Sequence, residues 1–369
     1  MAIAKDAVKD GRIAIHNLIE IKFDETFPWR DEWIETIADV IHFTDGESGA
    51  PAARLLVRYK KTLDSSGMRQ LEEDVYIGER SLLDLKYGVL LQSEADKTLV
   101  LTTNNLCLEW FSLATQLTLL AAGATLVHCA AIEKDGAALI FPSWGGTGKT
   151  ALITEFITNK GWRLLGDDLV ILMPDGTCYG FPKHMVLYPY HKDLFVDIFS
   201  NGHGPIAPTA FNSLLAKAGK AVKPLLRPFP QLLRFARLHN PQSIRINPSE
   251  VFGVDKLAQK AQLEVVVWLE RIEGDTKPEL RPAGDMLQSM IMGSSLNEYD
   301  PWCVRLVHIA MGTGIIDCRY FYPAWEQIIQ SSLQGCKQYV LNVSTSVPVS
   351  ELPRVVRDLL SEHRVLAAL

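Results

Sequence analysis

The sequence predicts an α/β fold: a mixed sheet carrying a glycine-rich phosphate loop at one end, with an N-terminal α/β region before it and a helical insertion after it. Three observations predict this. Residues 124–190 alternate strand and helix signals at short spacing. The string Ser143-Trp144-Gly145-Gly146-Thr147-Gly148-Lys149-Thr150 stands between an apolar strand pattern and an amphipathic helix pattern. Residues 191–249 then change composition abruptly, with seven prolines and eight Lys or Arg against two acids.

Length and composition are compatible with that fold. A chain of 369 residues that is 47% apolar and 22% charged suits one large domain or two ordinary ones, and it excludes disordered, collagen-like and coiled-coil classes. The net charge of −6 excludes a generally basic nucleic-acid binder, so no nucleic-acid partner is expected. Lys5, Asp6, Lys9 and Asp10 interrupt the N-terminus where a secretion signal needs an apolar run, so a cytoplasmic protein is expected. The apolar stretch 113–132 is broken by Thr115, Gln116, Thr118, Gly123, Thr125 and His128, and reads as a buried helix followed by a strand, not a membrane span. Six scattered cysteines, Cys107, Cys129, Cys178, Cys303, Cys318 and Cys336, have no ligand spacing and read as reduced core residues.

Residues 1–105 contain strand-like runs at 12–21, 53–59 and 98–102, with turns at Asp45-Gly46 and Ser65-Ser66-Gly67, and no chemical motif. From 106 onward the chain reads as the domain that carries the chemistry. Asn104 and Asn105 are N-cap candidates for a helix whose stripe is Trp110, Leu113, Leu117 and Leu120 and which stops near Gly123. A strand at 125–132, an Asp135-Gly136 turn and a second strand at 137–141 lead into the loop. The helix at 149–159 presents Leu152, Ile153, Phe156 and Ile157 on one face and ends at Gly161. Strand signals at 162–165 and 169–172 flank Gly166-Asp167-Asp168, and Pro174-Asp175-Gly176 turns the chain into a strand at 177–181. The basic segment 191–249 is expected to hold short helices at 210–221 and 229–238. Beyond it come a buried strand at 263–271, a short helix at 285–292, a strand at 339–343 and an amphipathic helix at 352–363.

The loop differs from GxxxxGK[ST] only in having Ser143 for the first glycine. Three glycines in four residues let the backbone approach an anion, and the following helix aims its first N–H groups at it. Lys149 then neutralises phosphate charge and Thr150 offers a hydroxyl to Mg²⁺. The adjacent carboxylates Asp167 and Asp168 repel one another unless a cation or an acceptor proton offsets the repulsion. In a strand such neighbours face opposite sides, so one reaches a metal and the other a nucleophile. His128, on the strand before the hairpin, points toward the phosphates if the strands are neighbours.

In the order histidine, hairpin, phosphate loop, helix and Asp pair, the segment 127–172 resembles the HPr kinase/phosphorylase family and its HPr-kinase-like serine kinases. Gly146-Thr147-Gly148-Lys149-Thr150 and Gly166-Asp167-Asp168 also resemble elements of ATP-dependent phosphoenolpyruvate carboxykinase, which shares that fold. The resemblance implies a phosphoenolpyruvate carboxykinase/HPr kinase-like P-loop core with ATP and Mg²⁺ as cofactors. It implies that residues 143–150 bind the nucleotide, with Lys149 on the phosphates, that Thr150 and Asp168 hold the metal, and that Asp167 is the base with His128 beside it. The family's second signature, of the form RGLGI, does not follow the Asp pair, so HPr itself is not implied as the acceptor.

The leading expectation is a Mg·ATP-dependent kinase acting on a hydroxyl, most of all Ser or Thr of a peptide or small protein. A small-molecule kinase and a non-catalytic ATP-binding regulatory module are the alternatives, and a homo-oligomer stays open. The segment 191–249 reads equally as a lid that recognises an acidic acceptor and as a solvated helical insertion.

Overall fold

A computed structural model describes residues 11–30, 50–181, 183–200, 244–317, 319 and 321–366. The expectations for the N-terminal charges, Asp45-Gly46, Cys318 and the helices at 210–221 and 229–238 lie outside the described residues. What is described is a mixed α/β fold.

The first sheet comprises β1 (Arg12–Ile15), β2 (Ile19–Phe23), β3 (Ala53–Tyr59), β4 (Arg69–Glu72), β5 (Val75–Ile77), β6 (Ser81–Asp84), β7 (Val89–Ser93) and β8 (Thr98–Thr103), in the order β1-β2-β3-β8-β7-β6-β5-β4. Only β2–β3 and β3–β8 are parallel pairs. Its period-two residues Ile19, Ile21 and Phe23 or Ala53, Leu55 and Val57 are buried, with Lys22 and Arg58 exposed between such positions. The run at 12–21 divides into two strands because His16 and Asn17 both take positive φ (48° and 55°), the geometry of a tight hairpin turn.

The second sheet holds β9 (Thr125–Lys134), β10 (Ala137–Pro142), β11 (Arg163–Leu172), β12 (Thr177–Gly180), β15 (Lys260–Ile272), β16 (Glu279–Pro282) and β17 (Lys337–Ser344). β9 pairs antiparallel with β10 and β11, β12 pairs antiparallel with β11 and β15, and β10 runs parallel to β15, so five strands close into a circuit. β17 and β16 extend it from β15. The β9–β10 turn has Asp135 at φ 52° and Gly136 at φ 87°, as an Asp-Gly hairpin requires. Glu133, fully buried, accepts from Gly136 N (2.7 Å) and Arg163 Nε (2.7 Å) and ties that hairpin to β11. A separate pair, β13 (Met185–Leu187) with β14 (Ile244–Ile246), joins the chain just before the basic segment to the last part of it.

The helices are α1 (Leu108–Ala121), α2 (Lys149–Lys160), α3 (Val196–Ser200), α4 (Pro248–Phe252), α5 (Leu287–Leu296), α6 (Pro301–Gly312), α7 (Tyr322–Ser332) and α8 (Leu352–Glu362). Leu152, Ile153 and Phe156 of α2 and Val356 and Leu360 of α8 cover one face of the second sheet, over Phe141, Val267 and Leu341. On the other face α1, α5, α6 and α7 pack on Leu126, Val266 and Trp268, in an apolar cluster that continues into Ile21, Leu55 and Leu101 of the first sheet. α1 therefore lies between the two sheets and is buried nearly all round. Its one buried amide, Gln116, bonds Thr125 Oγ1 (2.8 Å) and accepts from Leu126 N (2.9 Å), which satisfies it at the start of β9. Among the described residues no helix is long and apolar enough to cross a membrane. Of the five described cysteines none forms a disulfide; four are buried and Cys336 is half-buried.

Two local expectations are corrected. Cys107, not Asn104 or Asn105, precedes α1, and Asn105 instead donates to Tyr87 O (2.9 Å) and to the Asn104 side chain (3.0 Å), because the β6–β7 turn lies within reach. Gly166-Asp167-Asp168 is no break: it lies inside β11, with a register shift between Leu164 and Gly166.

Asp84, fully buried at the end of β6, fastens the first sheet to the helices. Its Oδ2 accepts from Trp110 Nε1 of α1 (3.0 Å) and Trp302 Nε1 of α6 (3.2 Å), and its Oδ1 accepts from Tyr87 N (3.2 Å). Burial pushes its carboxyl up, and the indoles pull it back. Asp84→Ala strips a buried and a half-buried indole N–H of their acceptor, so the variant should lose about 2–4 kcal/mol of stability in a denaturant titration.

Candidate functional site

The loop follows β10 directly. Gly146 (φ 77°) and Gly148 (φ 100°) take conformations that side chains disfavour, and a Cβ on Gly148 would meet Leu352 Cδ2 of α8 at 2.7 Å. Ser143 needs no such φ, which is why a serine is tolerated at the first loop position. Its hydroxyl lies 2.7 Å from Thr147 Oγ1. Lys149 opens α2, is only 7% exposed, and donates from Nζ to Ser143 Oγ (3.0 Å), Trp144 O (3.2 Å) and Ser143 O (3.4 Å). Burial lowers its pKa, against the pull of Asp168 and Asp167. Trp144 turns its half-exposed ring edge-on to buried Trp268, with centroids 6.0 Å apart.

β9 and β11 run side by side, with Ala130 opposite Asp167, Cys129 opposite Asp168 and His128 opposite Leu169. The irregularity in β11 has two marks. A Cβ on Gly166 would lie 2.3 Å from Leu169 O, and Asp168 has φ 101°, a left-handed value that Asp and Asn tolerate better than other side chains. As a result the two carboxylates join one cluster through different partners. Thr150 Oγ1 donates to Asp167, at 3.1 and 3.2 Å from its two oxygens. Asp168 Oδ1 lies 3.1 Å from His128 Nε2, and its Oδ2 is bonded by the Lys183 ammonium. The other imidazole nitrogen, Nδ1, stands 3.2 Å from Glu298 Oε1, while the His128 backbone N–H donates to Ser295 Oγ (2.9 Å).

These neighbours drive the two acids apart. Burial, and then repulsion from Asp168, push the Asp167 carboxyl up to about 6, with the Thr150 hydroxyl opposing. Burial also acts against Asp168, but Lys183 and His128 overrule it and hold the carboxyl well below the usual carboxylate range. Burial alone would lower Lys183, and the Asp168 carboxylate raises it instead. Two donor sets suit a divalent cation. One is the oxygen pair Thr150 and Asp167; the other is His128, Asp168 and Glu298, whose ligand atoms lie within 4.8 Å of one another.

No protein-family model and no curated protein matches the chain. Among solved structures it is similar to the Hpr(Ser) kinase/phosphatase from Coxiella burnetii, at 10% identity over 66% of this chain and 98% of that one, with a TM-score of 0.29.

Of the residues singled out in the sequence, His128, Lys149, Thr150, Asp167 and Asp168 meet in this cluster, and Ser143 and Thr147 bond within the loop. Gly145 and Gly146 leave open space where a Cβ would stand, and the Trp144 ring packs on Trp268. Lys183, Ser295 and Glu298 were not foreseen. Lys183 carries no motif of its own, and Ser295 and Glu298 come from α5 and the turn after it, some 170 residues beyond His128, so only packing brings them in.

Proposed function

We propose that the chain is a Mg·ATP-dependent kinase that transfers the γ-phosphoryl group to a hydroxyl. The observation that carries this reading is the meeting of the Thr150 hydroxyl and the Asp167 carboxylate beside the Asp168–His128 pair, at the end of a glycine loop that holds a buried lysine. The residues fit both groups. Asp167 is buried and raised, has no salt bridge among the described residues, and shares its oxygens with a hydroxyl, a hard donor set suited to Mg²⁺. The loop backbone at Gly145 and Gly146 is uncovered, as an approaching phosphate needs.

In this reading Thr150 and Asp167 hold the metal, residues 143–150 cradle the phosphates, and Lys149 neutralises them. Mg²⁺ supplies charge neutralisation to the transferring phosphoryl group. Asp168, ion-paired with Lys183, takes the proton of the acceptor hydroxyl, and His128 Nε2, 3.1 Å from its Oδ1, orients it. The Thr150–Asp167 contact thus gives the two acids roles exchanged from those the family resemblance implies, in which Asp168 was the ligand and Asp167 the base. Residues 106–369 form the nucleotide-binding unit, and the described strands within 1–105 pack on its α1. Ser or Thr of a peptide or small protein is the acceptor class the resemblance in 127–172 favours.

Transfer of label from the γ-phosphate of ATP, with Mg²⁺, into a size-fractionated cytoplasmic extract tests the proposal. Label present with the intact protein and lost with Lys149→Ala is expected, since that ammonium carries the phosphate charge. Mg·ATP binding without Lys149-dependent label would overturn the kinase reading in favour of a regulatory nucleotide-binding module.

A further inference from the structure

We propose that Ser143 sets the affinity of the loop for phosphate by competing for the Lys149 ammonium; the inference rests on the nucleotide-binding reading above. An ammonium has three N–H donors, and three acceptors of its own loop surround this one: Ser143 Oγ, Trp144 O and Ser143 O. The two carbonyls belong to the backbone and accompany any side chain at 143 and 144. The hydroxyl is different. A loop of this kind ordinarily has glycine at the first position; here the Ser143 hydroxyl adds an oxygen that bonds Thr147 Oγ1 (2.7 Å) and donates to Trp144 O (3.2 Å) as well as accepting from Lys149.

That oxygen is also well placed to hold on. Ser143 is completely buried, so water does not compete for its hydroxyl, and Thr147 Oγ1 at 2.7 Å fixes its direction. Lys149 is itself buried, so its ammonium depends on these contacts to offset lost hydration. A phosphate oxygen can engage Lys149 only by replacing part of this set. Hydrogen bonds to a charged group are the strong ones, so the Ser143 hydroxyl is the costliest side-chain contact to replace. Removing it leaves an ammonium short of one acceptor inside a site made for anions, and the phosphate fills that need. Ser143 is thus a positioning residue that lowers affinity for nucleotide and favours release.

The test uses the full chain with Ser143→Ala and, as a second variant, Ser143→Gly, each compared with the parent and with a Lys149→Met background. Calorimetry with Mg·ATP should show binding about tenfold tighter for both Ser143 variants, and no Ser143 effect once Lys149 is methionine. Independently of any nucleotide, Lys149 should acetylate several-fold faster in both variants when treated with an N-hydroxysuccinimide acetate and read by peptide mass spectrometry. Unchanged or weaker Mg·ATP binding with unchanged Lys149 acetylation would overturn the inference. So would a Ser143 effect on binding that persists with Lys149→Met, because it would act through the loop backbone. Should the parent chain not bind Mg·ATP at all, the kinase reading fails, and the acetylation rates alone still decide whether the hydroxyl holds Lys149.

Discussion

Asp168→Asn should abolish phosphoryl transfer, by about a thousandfold, while Mg·ATP still binds within a few-fold of the parent chain. The substitution is chosen for its backbone. Asp168 stands at φ 101°, inside a strand that bends around Gly166, and asparagine is the replacement that best tolerates such a conformation. The amide keeps the shape of the carboxylate and loses the negative charge that takes the hydroxyl proton. Lys183 loses its ion-pair partner, but Thr150, Asp167 and Lys149, the proposed metal and phosphate contacts, stay as they are. Single-turnover kinetics against calorimetric binding separates the two roles. If Asp167→Asn, and not Asp168→Asn, binds Mg·ATP normally without transferring, the roles are those of the family resemblance.

Asp167→Asn should make the metal-free protein more stable than the parent at neutral pH, by about 1–3 kcal/mol. In the folded chain the Asp167 carboxyl is pushed from 3.8 up to about 6, so it binds its proton more tightly folded than unfolded. As pH rises between these values the unfolded chain ionises first and stability falls. Above about pH 6 the full penalty is present; below about pH 4 both states are protonated and it vanishes. The stability difference between Asp167→Asn and parent in EDTA should therefore be largest at pH 7–8 and close toward pH 4. Mg²⁺ should raise the melting temperature of the parent and leave the variant nearly unchanged, since the cation offsets the same repulsion the mutation removes. A variant less stable than the parent at pH 8 in EDTA would show that Asp167 is held by contacts worth more than its burial costs. Together with Asp84→Ala, this separates a carboxylate that fastens two layers from one that strains its site.

The segment from β9 to β11 was the most legible part of the chain because its signals are local. Asp135-Gly136 requires two positive φ values, Gly146 and Gly148 require two more, and the stripe Leu152, Ile153, Phe156 and Ile157 needs only helical periodicity to reach one face. Strands with clean alternation, such as β2 and β3, were legible for the same reason. Short β4 to β7 and β16 were not foreseen, and neither were α6 and α7, although Asp300 before Pro301 is a readable start, its Oδ1 capping Trp302 N (3.0 Å) and Cys303 N (3.3 Å).

By itself the sequence determined that an α/β core would present a glycine loop, a lysine, a threonine, two acids and a histidine in one neighbourhood. Tertiary structure alone decided how they pair. Asp167 faces Thr150 and Asp168 faces His128 because β11 shifts register at Gly166, and a shift of that kind re-aims every side chain beyond it. Lys183 and Glu298 complete the cluster because the segments after β12 and α5 bring them there, 15 residues beyond Asp168 and 170 beyond His128. The types of groups follow from local composition and spacing; which charge neutralises which depends on register and packing between distant segments, and no window of sequence contains that information.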